Sequence, residues 1–253
     1  MTVLETILAA FSMFSAIPVP QIAWNQKNMR FLLCAFPLVG AVIGGACVLW
    51  SKLCGFLSLP ALLQGAGLCL LPVMLSGGIH LDGYADTWDA LASHGDAETK
   101  QKILKDPHMG AFAAIRLCMY FVASFALWVT LPRFRSMAIL CSFCLSRTLS
   151  ALAISLFPLR EGAGLARSFA DASNRKAVCI VSLLASVLLM IVMAFDGGIF
   201  MVIAALVVFI LYRIWIVPLF QGLSGDLAGW FVQTAEIWML AALCFGQFAE
   251  DVL

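Results

Sequence analysis

FLLCAFPLVGAVIGGACVLW, residues 31–50, runs for a full bilayer crossing without one charged side chain. A helix rises about 1.5 Å per residue, so about 20 apolar residues cross the hydrocarbon core. Working outward, six further apolar runs occupy 60–77, 111–131, 136–157, 177–195, 198–217 and 227–246. Only helices and closed barrels satisfy their own backbone hydrogen bonds in lipid, and these runs lack the two-residue alternation of barrel strands. The expected fold is an all-α polytopic membrane bundle of about seven transmembrane helices, forming a single domain over residues 1–253. Composition agrees: 63% of the chain is hydrophobic and 11% charged, where soluble domains carry about a quarter charged residues. Mean hydropathy is +1.01. The first segment, TVLETILAAFSMFSAIPVPQ, is interrupted by Glu5 and closed by Pro18 and Pro20, which fits an interfacial or re-entrant helix. It lacks the basic leader and cleavage site of a signal peptide.

Lys and Arg divide unequally between the two faces that these spans define. One face receives Lys27, Arg30, Lys100, Lys102, Lys105, Arg160, Arg167, Arg175 and Lys176; the other receives Lys52, Arg133 and Arg135. The bias places the first face in the cytoplasm, as in an inner-membrane protein. Polar loops at 79–110, 158–176 and 218–226 then share that side and can build one site. A net charge of +1 and sparse cationic loops exclude a nucleic-acid surface. The cysteines fall mostly within spans, as small buried apolar residues do. Cys141 and Cys144 have C-x-x-C spacing, but no second pair or nearby histidine completes a zinc site.

The loop at 79–110 opens on GGIHLDGYADTWDA, residues 77–90. At about 100° per residue, Asp86 lies about 40° from Asp82 on a helix and Asp89 about 20° to the other side, so the three carboxylates share a face. Like charges so placed repel and raise one another's pKa, which calls for a cation. Oxygen ligands suit Mg²⁺ or Mn²⁺, and Mg²⁺ takes one or two carboxylates while keeping positions for water and substrate phosphates. Gly77 and Gly78 permit a tight backbone approach or a break between the span and an acidic helix. Asp82 is either on that helix or its N-cap, with Gly83 then the first helical residue. An ordinary solvated helix face has the same composition, but this one abuts a span, where ionisable residues tend to be functional. His80 is a candidate for proton transfer or for packing.

The other loops supply groups suited to phosphate. Arg147, Arg160, Arg167 and Arg175 offer guanidinium forks, and Gly162 and Gly164 let backbone amides approach an anion. Arg147 lies well inside a span, so it must face the bundle interior or find an acidic partner. QGLSGDLAGW, residues 221–230, sets Asp226 before the last span, where it provides a second carboxylate source or an N-cap. Glu236, deeper in that span, is expected to face inward.

These residues carry a resemblance. GGIHLDGYADTWDAL followed by KILKDPHMGAFA resembles the acidic signature of the cobalamin synthase family, the adenosylcobinamide-GDP ribazoletransferases. FSMFSAIPVP, REGAG and GLSGD extend the likeness over most of the chain in matching order. Ala90, Ala113, Gln221 and Ser224 depart from the family's usual residues, beside the carboxylates rather than at them. The resemblance implies a Mg²⁺-dependent membrane transferase that joins adenosylcobinamide-GDP to α-ribazole or its 5′-phosphate and releases GMP. It implies metal binding by Asp82 and Asp86, with Asp89 a further ligand or the base. Lys105 would bind pyrophosphate, Asp106 would complete the cluster, and Arg160 with Gly162 would cradle GDP. Contact with membrane lipid, other cobamide-assembly enzymes and a second copy of the chain also belong to this expectation. Two alternatives remain: a lipid enzyme like the CDP-alcohol phosphotransferases, whose D-x-x-D-G-x-x-A-R string is absent, and a cation-coupled transporter drawing on Arg147 and Glu236.

Overall fold

The computed structural model describes residues 3–20, 29–160 and 165–252. Apolar helices form over the seven expected runs. α1 (Val3–Phe14), α2 (Leu32–Phe56), α3 (Ala61–Ser76), α4 (Ile79–Ala92), α5 (Ala97–Ile103), α6 (Ala111–Thr130) and α7 (Ser136–Leu156) come first. α8 (Leu165–Ala172), α9 (Arg175–Phe195), α10 (Ile199–Leu219, closing through a π-helical turn at Tyr212–Ile216) and α11 (Gly225–Val252) complete the order. No strand occurs among the described residues; the one isolated bridge pairs Leu159 with Leu223.

Six of these helices are long and apolar enough to cross a membrane, and a seventh crossing is α3 if it is counted with α4, from which it is bent by 95°. The chain is an integral membrane protein. α1, at 12 residues, reaches only about 18 Å and packs against α2. Pro37 and Pro72 sit inside α2 and α3 without ending them, as neighbouring helices permit in membranes.

α7 is the axis of the bundle. Its apolar window is 89% buried, against 22% for α6 and for α9, whose Leu184, Leu188 and Ile191 face outward. α2, α9 and α11 pack around it. Close approach of α2 depends on Gly40 and Gly44, where a Cβ would lie 2.3 Å from the Phe143 carbonyl oxygen and 2.8 Å from Leu140 Cα; small residues four apart are how helices draw together in lipid. The polar side chains of α7 turn inward: Ser146, Arg147, Thr148 and Ser150 are all buried.

At one end of the bundle the three polar loops meet. Arg160 N–H donates to Leu223 O at 3.1 Å and Leu223 N–H to Pro158 O at 2.9 Å, tying the loop after α7 to the one before α11. Asn174 N–H donates to Arg30 O at 3.0 Å at the start of α9. At the other end, Arg133 pairs with Glu250 and Asp251.

Candidate active site

Gly77 and Gly78, with φ of 68° and 76°, make the break between α3 and α4. Left-handed backbone at two successive positions suits glycine alone, and it turns α4 away from the span to run along the bundle's end. The helix begins at Ile79 with Gly78 as its N-cap. Asp82 therefore lies within the first turn, its N–H donating to Gly78 O at 2.9 Å, and not at the N-cap.

α4 is pressed against α11 by a seam without side chains. A Cβ on Gly83 would lie 2.6 Å from Asp226 O, and one on Gly229 would lie 3.1 Å from His80 O. This contact brings Asp226 to the acidic helix. Asp86, half-buried, is pushed up to about 6 by desolvation first, then by the charges of Asp82, Asp226 and Asp89. Four carboxylates from two parts of the chain thus act on one another. Arg160, buried at 5% exposure, lies within electrostatic reach of one of them, Asp226. Among the described residues its Nε and Nη1 have no hydrogen-bond partner. Buried guanidinium N–H groups without acceptors are costly, and a phosphate oxygen would satisfy them. Ser224 Oγ donates to Asp226 Oδ2 at 3.4 Å.

Among the described residues no three His, Cys, Asp or Glu side chains come close enough to enclose a metal ion by themselves. The donor set fits a hard cation that keeps water and substrate oxygens in its shell: Asp82 is exposed, Asp86 half-buried, and they stand one helical turn apart. Asp89 has a second occupation. Its Oδ1 accepts from Ala113 N–H at 3.3 Å, and a Cβ on Gly110 would sit 2.1 Å from Oδ2. It caps α6 from outside, at the positive end of the helix dipole.

His80 is 5% exposed, packed 5.5 Å from the Phe36 ring and 6.5 Å from that of Phe14. Desolvation, aided by Arg147, pulls its pKa down to about 3, so the imidazole is neutral. Lys105 and Asp106 lie exposed on the loop before α6, where Asp106 accepts from His108 N–H at 3.0 Å and pairs with its ring at 2.7 Å. Arg147 is wholly buried and ion-paired to Glu236, with further bonds to Phe143 O at 3.0 Å and Ser146 Oγ at 2.9 Å. Both of the expected alternatives hold: Arg147 faces the interior, and its acidic partner is Glu236. Gly162 and Gly164 lie outside the described residues. Arg116 was not among the expected site residues: its guanidinium lies 3.9 Å over the ring of Trp88, the residue that precedes Asp89. Its place inside an apolar run disguised it as part of a span.

A membrane-embedded helical bundle that gathers carboxylates and a buried arginine at one end defines a class of integral membrane protein with a charged face at the end of its spans. The chain belongs to the cobalamin-5-phosphate synthase family, whose model matches residues 6–244. It is 40% identical over 237 residues to an adenosylcobinamide-GDP ribazoletransferase of Lachnoclostridium phytofermentans, covering 92% of this chain and 91% of that one. Proteins of the same name from Clostridium perfringens (strain SM101) and Geobacillus thermodenitrificans are 30% and 29% identical, covering 92% and 94% of this chain and 94% and 97% of theirs. No solved structure matches.

Proposed function

We propose that the chain joins adenosylcobinamide-GDP to α-ribazole or its 5′-phosphate, releasing GMP, in a Mg²⁺-dependent reaction at the face carrying Asp82, Asp86 and Asp226. The names of the relatives support the substrates. The observation that carries the site is the convergence of these carboxylates, through the Gly83 and Gly229 seam, with the buried Arg160, whose Nε and Nη1 have no hydrogen-bond partner among the described residues. The excess of Lys and Arg on this side supports a cytoplasmic orientation.

In the reaction, the ribazole hydroxyl oxygen attacks the cobinamide-linked phosphorus. The bond from that phosphorus to the bridging oxygen breaks, and GMP departs with the bridging oxygen. Such transfers depend on positioning and on neutralising charge over the phosphate oxygens. When bound, Mg²⁺ supplies part of that neutralisation. Asp82 and Asp86 would hold it, Arg160 donates to phosphate oxygens, and exposed Lys105 is free to meet the pyrophosphate arriving from water. The hydroxyl proton goes to a carboxylate of the cluster that does not hold the metal, Asp89 or Asp226.

The test is GMP release by purified protein given both substrates and Mg²⁺. Asp86→Asn should abolish release while the protein remains folded in detergent; near-normal turnover by that variant rejects the assignment, and no release by the unaltered protein rejects the reading as a whole.

A further inference from the structure

Between α1, α2, α4, α7, α8 and α11 lies a cavity of about 160 Å³ whose aromatic wall none of the roles above employs. Its wall is aromatic and apolar: Phe14, Phe36, Phe169 and the His80 ring, closed by Met13 and Ile154. The rings pack together, with Phe14 4.3 Å from Phe36 and 5.8 Å from Phe169 between centroids. Asp82 and Asp226 also line it, and Asp82 is exposed, so the cavity reaches the acidic face from below. Apolar cavities of about 150 Å³ take up a benzene-sized ring, and a mouth open toward the carboxylates leaves room for a larger one.

We infer that this cavity seats the aromatic base of the ribazole substrate, a flat and largely apolar bicyclic heterocycle, with its ribose directed to Asp82 and Asp226. The inference rests on the transferase reading. A ring held there by Phe14 and Phe36 points its sugar at the carboxylates where the phosphorus must be, which is the positioning that a hydroxyl nucleophile requires. The Nδ1 of His80 has no partner among the described residues, and a ring nitrogen of such a base would give it one. The cavity is too small for a guanosine nucleotide or a corrinoid, and a lipid tail has no use for two carboxylates at its end. The wall also gives a task to FSMFSAIPVP, the stretch near the N-terminus that had none: it carries Met13 and Phe14 into the site.

The experiment is a titration of detergent-solubilised protein, with ¹³C-methyl methionine, by α-ribazole alone, the Met13 resonance being assigned by Met13→Leu. Ring-current displacement of the Met13 methyl is expected. In steady-state assays, Ser150→Leu, which fills the cavity, and Phe14→Ala, which opens its wall, should each raise KM for α-ribazole about tenfold or more and leave KM for adenosylcobinamide-GDP within about twofold. Two variants guard against one failing to fold. A Met13 methyl unmoved at saturating ribazole in protein that releases GMP would overturn the inference and leave the transferase intact. So would an acyl chain occupying the cavity with KM for ribazole unchanged in both variants. Absence of GMP release from the unaltered protein would instead strike the transferase reading itself.

Discussion

Replacing Glu236 by glutamine keeps the size of the side chain and an oxygen able to accept from Ser146 Oγ, which now donates to it at 2.8 Å. It removes the charge that faces Arg147. That guanidinium is 0% exposed, and among the described residues its Nε and Nη2 have no partner, so the variant leaves a cation in the core with only Phe143 O, Ser146 Oγ and a neutral amide. Arginine cannot shed its proton in a protein. Breaking a buried pair in this way costs about 3–5 kcal/mol, and the retained oxygen argues for the lower end. At about 2–4 °C per kcal/mol for a chain of this size, unfolding in detergent, followed through tryptophan fluorescence, should move down by about 10 °C. Arg147→Met should be milder, because an isolated carboxyl can neutralise itself by taking a proton. Joining Arg147→Met to Glu236→Leu should recover most of the loss, since apolar replacements of buried pairs are close to neutral. A Glu236→Gln variant that unfolds within about 1 °C of the original, or a double variant no more stable than Glu236→Gln, would refute the view that the pair is isolated from other charges.

Gly83→Ala sets a Cβ 2.6 Å from a backbone oxygen of α11; backbone cannot swing aside, so α4 must retreat and GMP release should fall by about tenfold or more while the helix content by circular dichroism stays the same. Asp89→Asn preserves an acceptor for Ala113 N–H whereas Asp89→Ala does not, so near-normal thermal stability in the first and a loss of about 1 kcal/mol in the second would mark the cap, and turnover in the asparagine variant reports whether the charge is needed besides. Protonation of Asp86 competes with a divalent ion, so the Mg²⁺ concentration giving half-maximal turnover should rise as pH falls through about 6. In metal-free protein the sign is opposite: a folded-state pKa raised above 3.8 favours folding at low pH and that support is lost as pH rises through about 6, so protection by Mg²⁺ against unfolding should be larger at neutral pH than near pH 5.

Hydropathy located five of the seven spans to within two residues and stopped six residues short at the ends of α2 and α11, because lipid imposes helical structure and a minimum length but not where a helix stops beyond it. The helical periodicity of Asp82, Asp86 and Asp89 was equally readable, and so was the break at Gly77 and Gly78. That Arg147 would face the interior or find an acidic partner, and that Glu236 would face inward, followed from their depth; that they pair with each other is a matter of how α7 meets α11, which no local pattern encodes. The same holds for Asp89, whose capping of α6 is decided 24 residues away at Ala113, and for His80, taken out of water beside rings of α1 and α2. Arg116 was hidden because a long side chain at the start of an apolar run looks like span, while its head lies on Trp88.

The seam of Gly83 and Gly229 has a further consequence for a protein living in bilayers of varying thickness. A span longer than its lipid is thick accommodates by tilting, and ordinary helix contacts absorb tilt by exchanging rotamers. Here one backbone rests directly on the other, leaving no rotamers to exchange. When α11 leans, α4 must ride with it, so Asp226 keeps its station relative to Asp82 and Asp86 whatever membrane surrounds them.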